Sequence, residues 1–335
     1  MTTTAPTGTA REYWTEAAFT GRLRQVPVPR PGPDEVLIET LASGISPGTE
    51  SLVHRGEVPS EVAELMRAPH QLGQLPFPVS HGYLNVGTVR EGPPELQDRR
   101  VFTLTGHRSH VVVPAEACHL LAEEIPTERA LLAGVAEVGL NAVWEAQVTL
   151  GDRVAVVGAG LIGLVTGLLV SRVSPARIQL VDVDPSRRQA AEQLGLDAVP
   201  PEQTEGDHDV VFHTSSSEAG LATALRITGD DGQLVEMSWF GSRAPRVPLG
   251  EDFHARRLRV VAAQVGEVAA PKRLRRTRAQ RLGTALGLLD ERFDLLVTGS
   301  SPLERLPEVM NDLASGAEWT RQQLLHVVTY QGEDS

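Results

Sequence analysis

The 335-residue sequence contains one cysteine, Cys118, and one lysine, Lys272. A lone cysteine excludes an intrachain disulfide and any multi-cysteine zinc lobe. A lone lysine leaves Schiff-base or lysine-base chemistry to Lys272, because arginine keeps its proton at working pH. No apolar run approaches the length of a membrane span, and the opening MTTTAPTGTAREYW lacks the apolar core of a signal peptide. A cytoplasmic location with no membrane partner is therefore expected. Positive charge is also in deficit. With 31 Lys+Arg against 43 Asp+Glu, the formal net charge of −12 argues against nucleic acid as a partner.

The segment Val154–Asp184, VAVVGAGLIGLVTGLLVSRVSPARIQLVDVD, is the most informative part of the chain. Val154–Val157 is a β-branched run too short for a helix and closed by glycine, as in a buried strand. Gly158, Gly160 and Gly163 then follow in G-x-G-x-x-G spacing, with Ala159, Leu161 and Ile162 between them. The first glycine permits a tight turn, the second lets backbone approach a pyrophosphate, and the third lets helix and strand pack closely. The helix beginning at Leu161 directs its N-terminal N–H groups and positive dipole end at the phosphates. A second strand, Ile178–Val181, ends at Asp182, where a carboxylate holds the adenosine ribose hydroxyls. Val183 and Arg187 adjoin it. Strand, glycines, helix, strand and acid in one short unit predict dinucleotide binding far better than the glycines alone. Asp182 favours NAD over NADP, although Arg187 and Arg188 lie close enough to soften that preference.

The length suits two domains. More than half of the 23 prolines precede residue 115, and the first third reads as short strands and turns. Residues 1–10 read as a mobile tail. Glu12–Val28 follows as two strands around a turn at Thr20–Gly21, and Glu35–Leu41 alternates as a half-buried strand. Ala42–Pro59 gathers Ser46, Thr49, Glu50 and His54 in a loop leading to a possible helix, where Ser and Thr are also ordinary caps. His81 and Tyr83 precede a strand, and His107 and His110 stand at a turn. Taken singly, each histidine reads as a surface residue. Glu128–Gln147 is helix-like, with Glu137 and Asn141 on one face; if buried, that pair needs partners.

Beyond it, strands and helices alternate as in a parallel, doubly wound sheet, with Ser215–Ser217 and Trp239–Gly241 in loops at strand carboxyl ends, where ligands bind. Pro271–Arg281, PKRLRRTRAQR, is the one basic block and reads as a solvated helix face. An acidic partner or a phosphate-bearing substrate is its minority reading.

Together, GISPGTE (44–50), GYLNVGTV (82–89), Val101–Pro114 and the dinucleotide unit resemble the medium-chain dehydrogenase/reductase family. The resemblance implies an α/β protein with a GroES-like β-rich domain (1–127 with 298–335) and a Rossmann domain (128–297). It implies a homodimer or homotetramer acting on a small-molecule substrate. Zinc-dependent members carry ligands where this chain has Ser46 or Pro47, Tyr83, and Ala133 or Gly134. Three protein ligands are needed for catalytic zinc, so no zinc is expected, and the chain looks similar to a zinc-less branch that includes bacteriochlorophyllide hydroxyethyl dehydrogenases. On the same resemblance, Tyr83 stands in for a ligand, Glu50 hydrogen-bonds it, Thr49 relays a proton and Glu137 is a general base, with His54 and His81 in reserve. The implied reaction is hydride transfer between a nicotinamide cofactor and a secondary alcohol or ketone. Reduction of activated C=C bonds and non-catalytic dinucleotide binding remain as alternatives.

Overall fold

A computed structural model describes residues 8–173, 177–250 and 252–330. The chain divides into two compact units, 1–134 with 296–335, and 135–295. The first seam lies beyond the expected 127/128 because Gly134 packs on Leu84 and the Tyr83 carbonyl, both of the first unit.

In the first unit, β1 (Thr9–Ala17) and β2 (Thr20–Pro27) form an antiparallel hairpin. Thr9 and Ala10 are thus strand residues, correcting the expected tail; residues 1–7 lie outside the described ones. The turn also moves, to Ala18–Phe19, where Phe19 adopts a φ of 56°. Gly21 instead pairs with Thr15 and gives room to the Tyr13 ring. β3 (Glu35–Ile45) is followed by α1 (Pro47–Arg55), so Thr49, Glu50 and His54 sit on a helix rather than in a loop. Pro47 at the first helical position and Gly56 past the last, at φ 75°, set its ends. Short β4 (Leu72–Gly73) and β5 (Val79–Ser80) lead to β6 (Asn85–Glu91), β7 (Arg100–Thr103), β8 (His110–Pro114) and β9 (His119–Leu120). β3 is central, with β6 and β8 as neighbours. Val36, Leu37 and Ile38 are accordingly all buried, where one-sided alternation was expected. α2 (Thr127–Ala130) closes this stretch.

The second unit starts within α3 (Ala133–Ala146). Its strands are β10 (Arg153–Val157), β11 (Arg177–Val181), β12 (Asp197–Val199), β13 (His208–His213), β14 (Thr228–Glu236) and β15 (Arg259–Ala262). All pair in parallel, in the order β12-β11-β10-β13-β14-β15. Taken in chain order this is the 3-2-1-4-5-6 doubly wound arrangement, whose direction of growth reverses between β10 and β13. The helices between strands are α4 (Leu161–Ser171), α5 (Pro185–Gln193, capped by Asp184) and α6 (Glu218–Ile227, capped by Ser217). α4 buries nearly its whole circumference, as its apolar sequence requires.

α7 (Arg278–Leu286) starts at a capping box made by Thr277 and Gln280. Within the basic block Lys272, Arg273, Arg275, Arg276 and Arg278 are exposed, but Arg281 is 1% exposed. The solvated-face reading therefore fails at its last residue.

The chain then returns to the first unit through β16 (Val297–Pro302), α8 (Leu306–Ser315) and β17 (Leu325–Thr329), which pairs with β3. Tyr13, Ile45, Leu306, Met310 and Val328 share a core there.

Candidate functional site

At the carboxyl end of β10, Gly158 takes a φ of 109° and donates its N–H to the Val181 carbonyl at 2.8 Å. A β-carbon on Gly158 would meet the backbone of Ser215, and one on Gly163 would overlap the Gly158 carbonyl. A β-carbon on Gly160 would meet nothing within 4 Å, so this backbone stands open to a ligand. Leu161 and Ile162 begin α4 there, and by helix geometry its first N–H groups lack intrahelical acceptors.

Asp182 secures this turn. Its Oδ2 accepts the Ala159 N–H at 2.7 Å and its Oδ1 accepts the Asp184 N–H at 2.9 Å. Val183 beside it is 78% exposed. Arg188 donates to the carbonyls of Asp182 and Val183, at 2.8 and 3.1 Å. Arg187 is half-buried; burial pushes its guanidinium pKa down while Asp182 and Asp184 pull it up. The residues that the sequence assigned to a nucleotide thus meet at the carboxyl ends of β10 and β11.

The sequence reading missed a cluster on the neighbouring strands. His213 and Glu236 are register partners at the carboxyl ends of β13 and β14. The His213 Nδ1 lies 2.7 Å from Glu236 Oε2, and its Nε2 lies 2.7 Å from Ser215 Oγ. Thr214 donates to the Gly158 carbonyl at 2.8 Å, which ties this loop to the glycine turn. The available signal was His213 closing a β-branched strand just before the Ser215–Ser217 loop.

In the first unit Tyr83 is half-buried, and the side chains of Ser46 and Thr49 act on its hydroxyl, pulling its pKa down against the effect of burial. Burial pushes that phenol up to about 12, so it keeps its proton at neutral pH. The expected Tyr83–Glu50 hydrogen bond is replaced by another. Glu50 Oε2 pairs with His107 Nε2 at 2.8 Å, and Oε1 accepts the Ser46 N–H at 2.8 Å. His107 Nδ1 continues to Ser43 Oγ at 2.7 Å, which meets the Tyr330 hydroxyl at 2.7 Å.

The histidines read singly as surface residues are mostly interior. His107 is 1% exposed, and His54 and His81 are also buried. His54 spans Tyr13 (3.2 Å) and Asn311 (2.7 Å). His81 Nδ1 bonds Gln71 at 2.9 Å while its Nε2 has no partner, and burial pushes its pKa down to about 4. Only His110 is partly exposed, beside Ser109.

Glu137, expected as a general base, lies in the second unit against a cation. Its Oε1 accepts from Arg281 Nε at 3.0 Å, and both side chains are buried. Burial pushes its pKa up, with the Arg281 guanidinium acting against that. A carboxylate engaged this way is poorly placed to take a substrate proton.

No family model matches the chain. Human sorbitol dehydrogenase is 27% identical over 270 residues, covering 68% of this chain and 74% of that protein. The structure of 2R,3R-butanediol dehydrogenase from Bacillus subtilis superposes with a TM-score of 0.76 at 22% identity, covering 96% of this chain and 99% of that one. A Sinorhizobium meliloti 1021 protein named as a zinc-binding dehydrogenase, with NADP bound, gives 0.75 at 19% identity over 96% and 99%.

These relatives overturn the expectation of a metal-free enzyme, since zinc binding is named among them, and they give no support to the zinc-less branch. Yet Ser46, Tyr83, Ala133 and Gly134 offer no imidazole, thiolate or carboxylate. No group of three or more His, Cys, Asp or Glu side chains that could hold a metal occurs among the described residues. The residues present do not fit the relatives' metal. The fold matches that of these dehydrogenases, and the chain is an NAD(P)-dependent oxidoreductase similar in sequence to sorbitol and butanediol dehydrogenases.

Proposed function

We propose that this enzyme moves a hydride between NAD(H) and the carbinol or carbonyl carbon of a small secondary alcohol or ketone, the substrate class that the names sorbitol and butanediol dehydrogenase suggest. The observation that carries the cofactor half is the open turn at Gly158–Gly163 with the Asp182 carboxylate beside it. Bound there, the dinucleotide supplies the hydride. Gly158, Ala159, Gly160, Leu161, Ile162 and Gly163 cradle its pyrophosphate, and Asp182 faces the adenosine ribose with Val183 and Arg187 around it. A 2′-phosphate would meet the Asp182 carboxylate, while Arg188 is already engaged by two backbone carbonyls; both favour NAD over NADP.

In the proton half, the Tyr83 hydroxyl donates a hydrogen bond to the oxygen of the reacting carbon. Its raised pKa keeps the hydroxyl protonated, as a hydrogen-bond donor, at neutral pH, and Ser46 and Thr49 act on that hydroxyl. A preorganised donor of this kind stabilises the alkoxide-like charge that builds as hydride transfers. Glu50 shapes the site through the Ser46 N–H and His107.

The exposed edge strand β15, with Val260 uncovered, supports a homodimer as the assembly. A spectrophotometric screen of purified protein with NAD(H) against polyols, vicinal diols and their ketones tests the reading. Cofactor turnover with a secondary alcohol is expected. Turnover with enones alone would replace it with C=C reduction, and tight cofactor binding without any turnover would make the chain a binding protein.

A further inference from the structure

Arg281 is the largest fully buried side chain among the described residues, and its donors are distributed unusually. Nε meets Glu137 at 3.0 Å and Nη1 meets Asn141 Oδ1 at 2.7 Å, both on α3. The remaining bonds go to backbone: Nη1 to the Glu267 carbonyl at 2.8 Å and Nη2 to the Val265 carbonyl at 2.6 Å. Asn141 serves the same stretch. Its Nδ2 donates to the carbonyls of Gln264 (3.3 Å) and Glu267 (3.1 Å), and its Oδ1 accepts the Ala269 N–H at 2.8 Å. One residue on, Glu145 of α3 accepts the Ala270 N–H at 2.9 Å.

The segment so held, 264–270, is neither helix nor strand, and side chains take the place of a hydrogen-bond ladder. It follows β15 directly. Ala263 donates to the Glu236 carbonyl at 2.9 Å, so the segment leaves the sheet at the level of the His213–Glu236 pair, on the carboxyl edge. In a doubly wound sheet the two halves each take one nucleotide of a dinucleotide, at that edge. Asp182 and the glycine turn occupy the β10–β12 half. The 264–270 segment closes the β13–β15 half.

We infer that Arg281, Glu137 and Asn141 form a positioning cluster that fixes the 264–270 backbone as the seat for the nicotinamide half of the cofactor. The inference rests on the dinucleotide reading above. It also gives Glu137 a role other than the expected general base. None of the three residues touches the reacting atoms; each acts through the segment it holds. An ordered segment binds without the entropy cost of being fixed at the moment of binding. A pair so deeply buried leaves an uncompensated charge when one partner is removed, which loosens what it held.

The test compares NADH with AMP, which carries only the adenosine half, by calorimetric titration of the full-length protein. Glu137→Gln keeps an acceptor for Arg281 but removes the charge; Arg281→Lys keeps the charge but loses most of the bonds. In both, the dissociation constant for NADH is expected to rise about tenfold or more while that for AMP stays within about twofold. Unchanged NADH affinity with a lowered melting temperature would make the cluster a fold support and overturn the inference. Equal weakening for NADH and AMP would overturn it too, as a sign of general loosening. If Arg281→Lys does not fold, Glu137→Gln and Asn141→Asp decide alone. Failure of the wild-type protein to bind either nucleotide would instead remove the underlying dinucleotide reading.

Discussion

The turn at Gly158–Gly163 and the cluster around Tyr83 are built in opposite ways. The first is made of backbone: a positive-φ glycine, a glycine beneath a carbonyl and an open glycine, all within six positions and closed by one carboxylate. The second is made of side chains from segments far apart in sequence, with Ser43, Glu50, His107 and Tyr330 joined in one buried chain of hydrogen bonds. A backbone site tolerates almost no added atom, whereas a side-chain site depends on particular hydroxyls and protons. Substitutions should therefore fail differently in the two regions.

The largest effect is expected at Gly163. A β-carbon there overlaps the Gly158 carbonyl, which cannot move without opening the turn. Gly163→Ala should abolish measurable NADH binding and lower stability by about 1–3 kcal/mol, read by titration and thermal melting. Retained affinity would show that the turn is not the phosphate cradle.

Next comes Tyr83→Phe, which leaves the ring and removes the hydroxyl. Turnover on a confirmed alcohol should fall roughly 10²–10³-fold, about 3–4 kcal/mol of barrier, with NADH affinity unchanged. Full turnover would reduce the tyrosine to packing.

Acid distinguishes the regions by a slightly smaller margin. His81 is held neutral, its pKa pushed by burial from the usual 6.5 down to about 4. The unfolded chain binds that proton at higher pH than the folded one. The stabilising contribution is thus complete above about 6.5 and is lost as pH falls toward 4, by roughly 3 kcal/mol. Melting temperature should drop across this window, and less so in His81→Gln. An identical slope in the variant would remove His81 from the account.

The smallest effect concerns cofactor choice. Asp182→Ser should move the NADH-to-NADPH affinity ratio about tenfold toward NADPH, through loss of the carboxylate that repels a 2′-phosphate. No change in the ratio would place the discrimination elsewhere.

The same contrast explains what the sequence disclosed. Glycine spacing, a β-branched strand and a terminal acid are local, so the nucleotide turn could be read directly, down to Asp182. The Glu137–Asn141 face was legible as a pair needing partners if buried. Its partner was not, because Arg281 lies 140 positions from Asn141, within a basic block whose other members are exposed. His107 had no local signature either, since only the pairing of β3 with β6 and β8 brings Ser43 and Glu50 to it. The expected Tyr83–Glu50 bond failed for that reason: the carboxylate found a histidine from the loop between β7 and β8.

Hydride transfer by this chain depends on NAD(H) binding at the Gly158–Gly163 turn with Asp182. Calorimetric titration of the purified wild-type chain with NADH and NADPH tests it most directly. Stoichiometric binding of NADH, tighter than that of NADPH, is expected. Heat from neither nucleotide would contradict it.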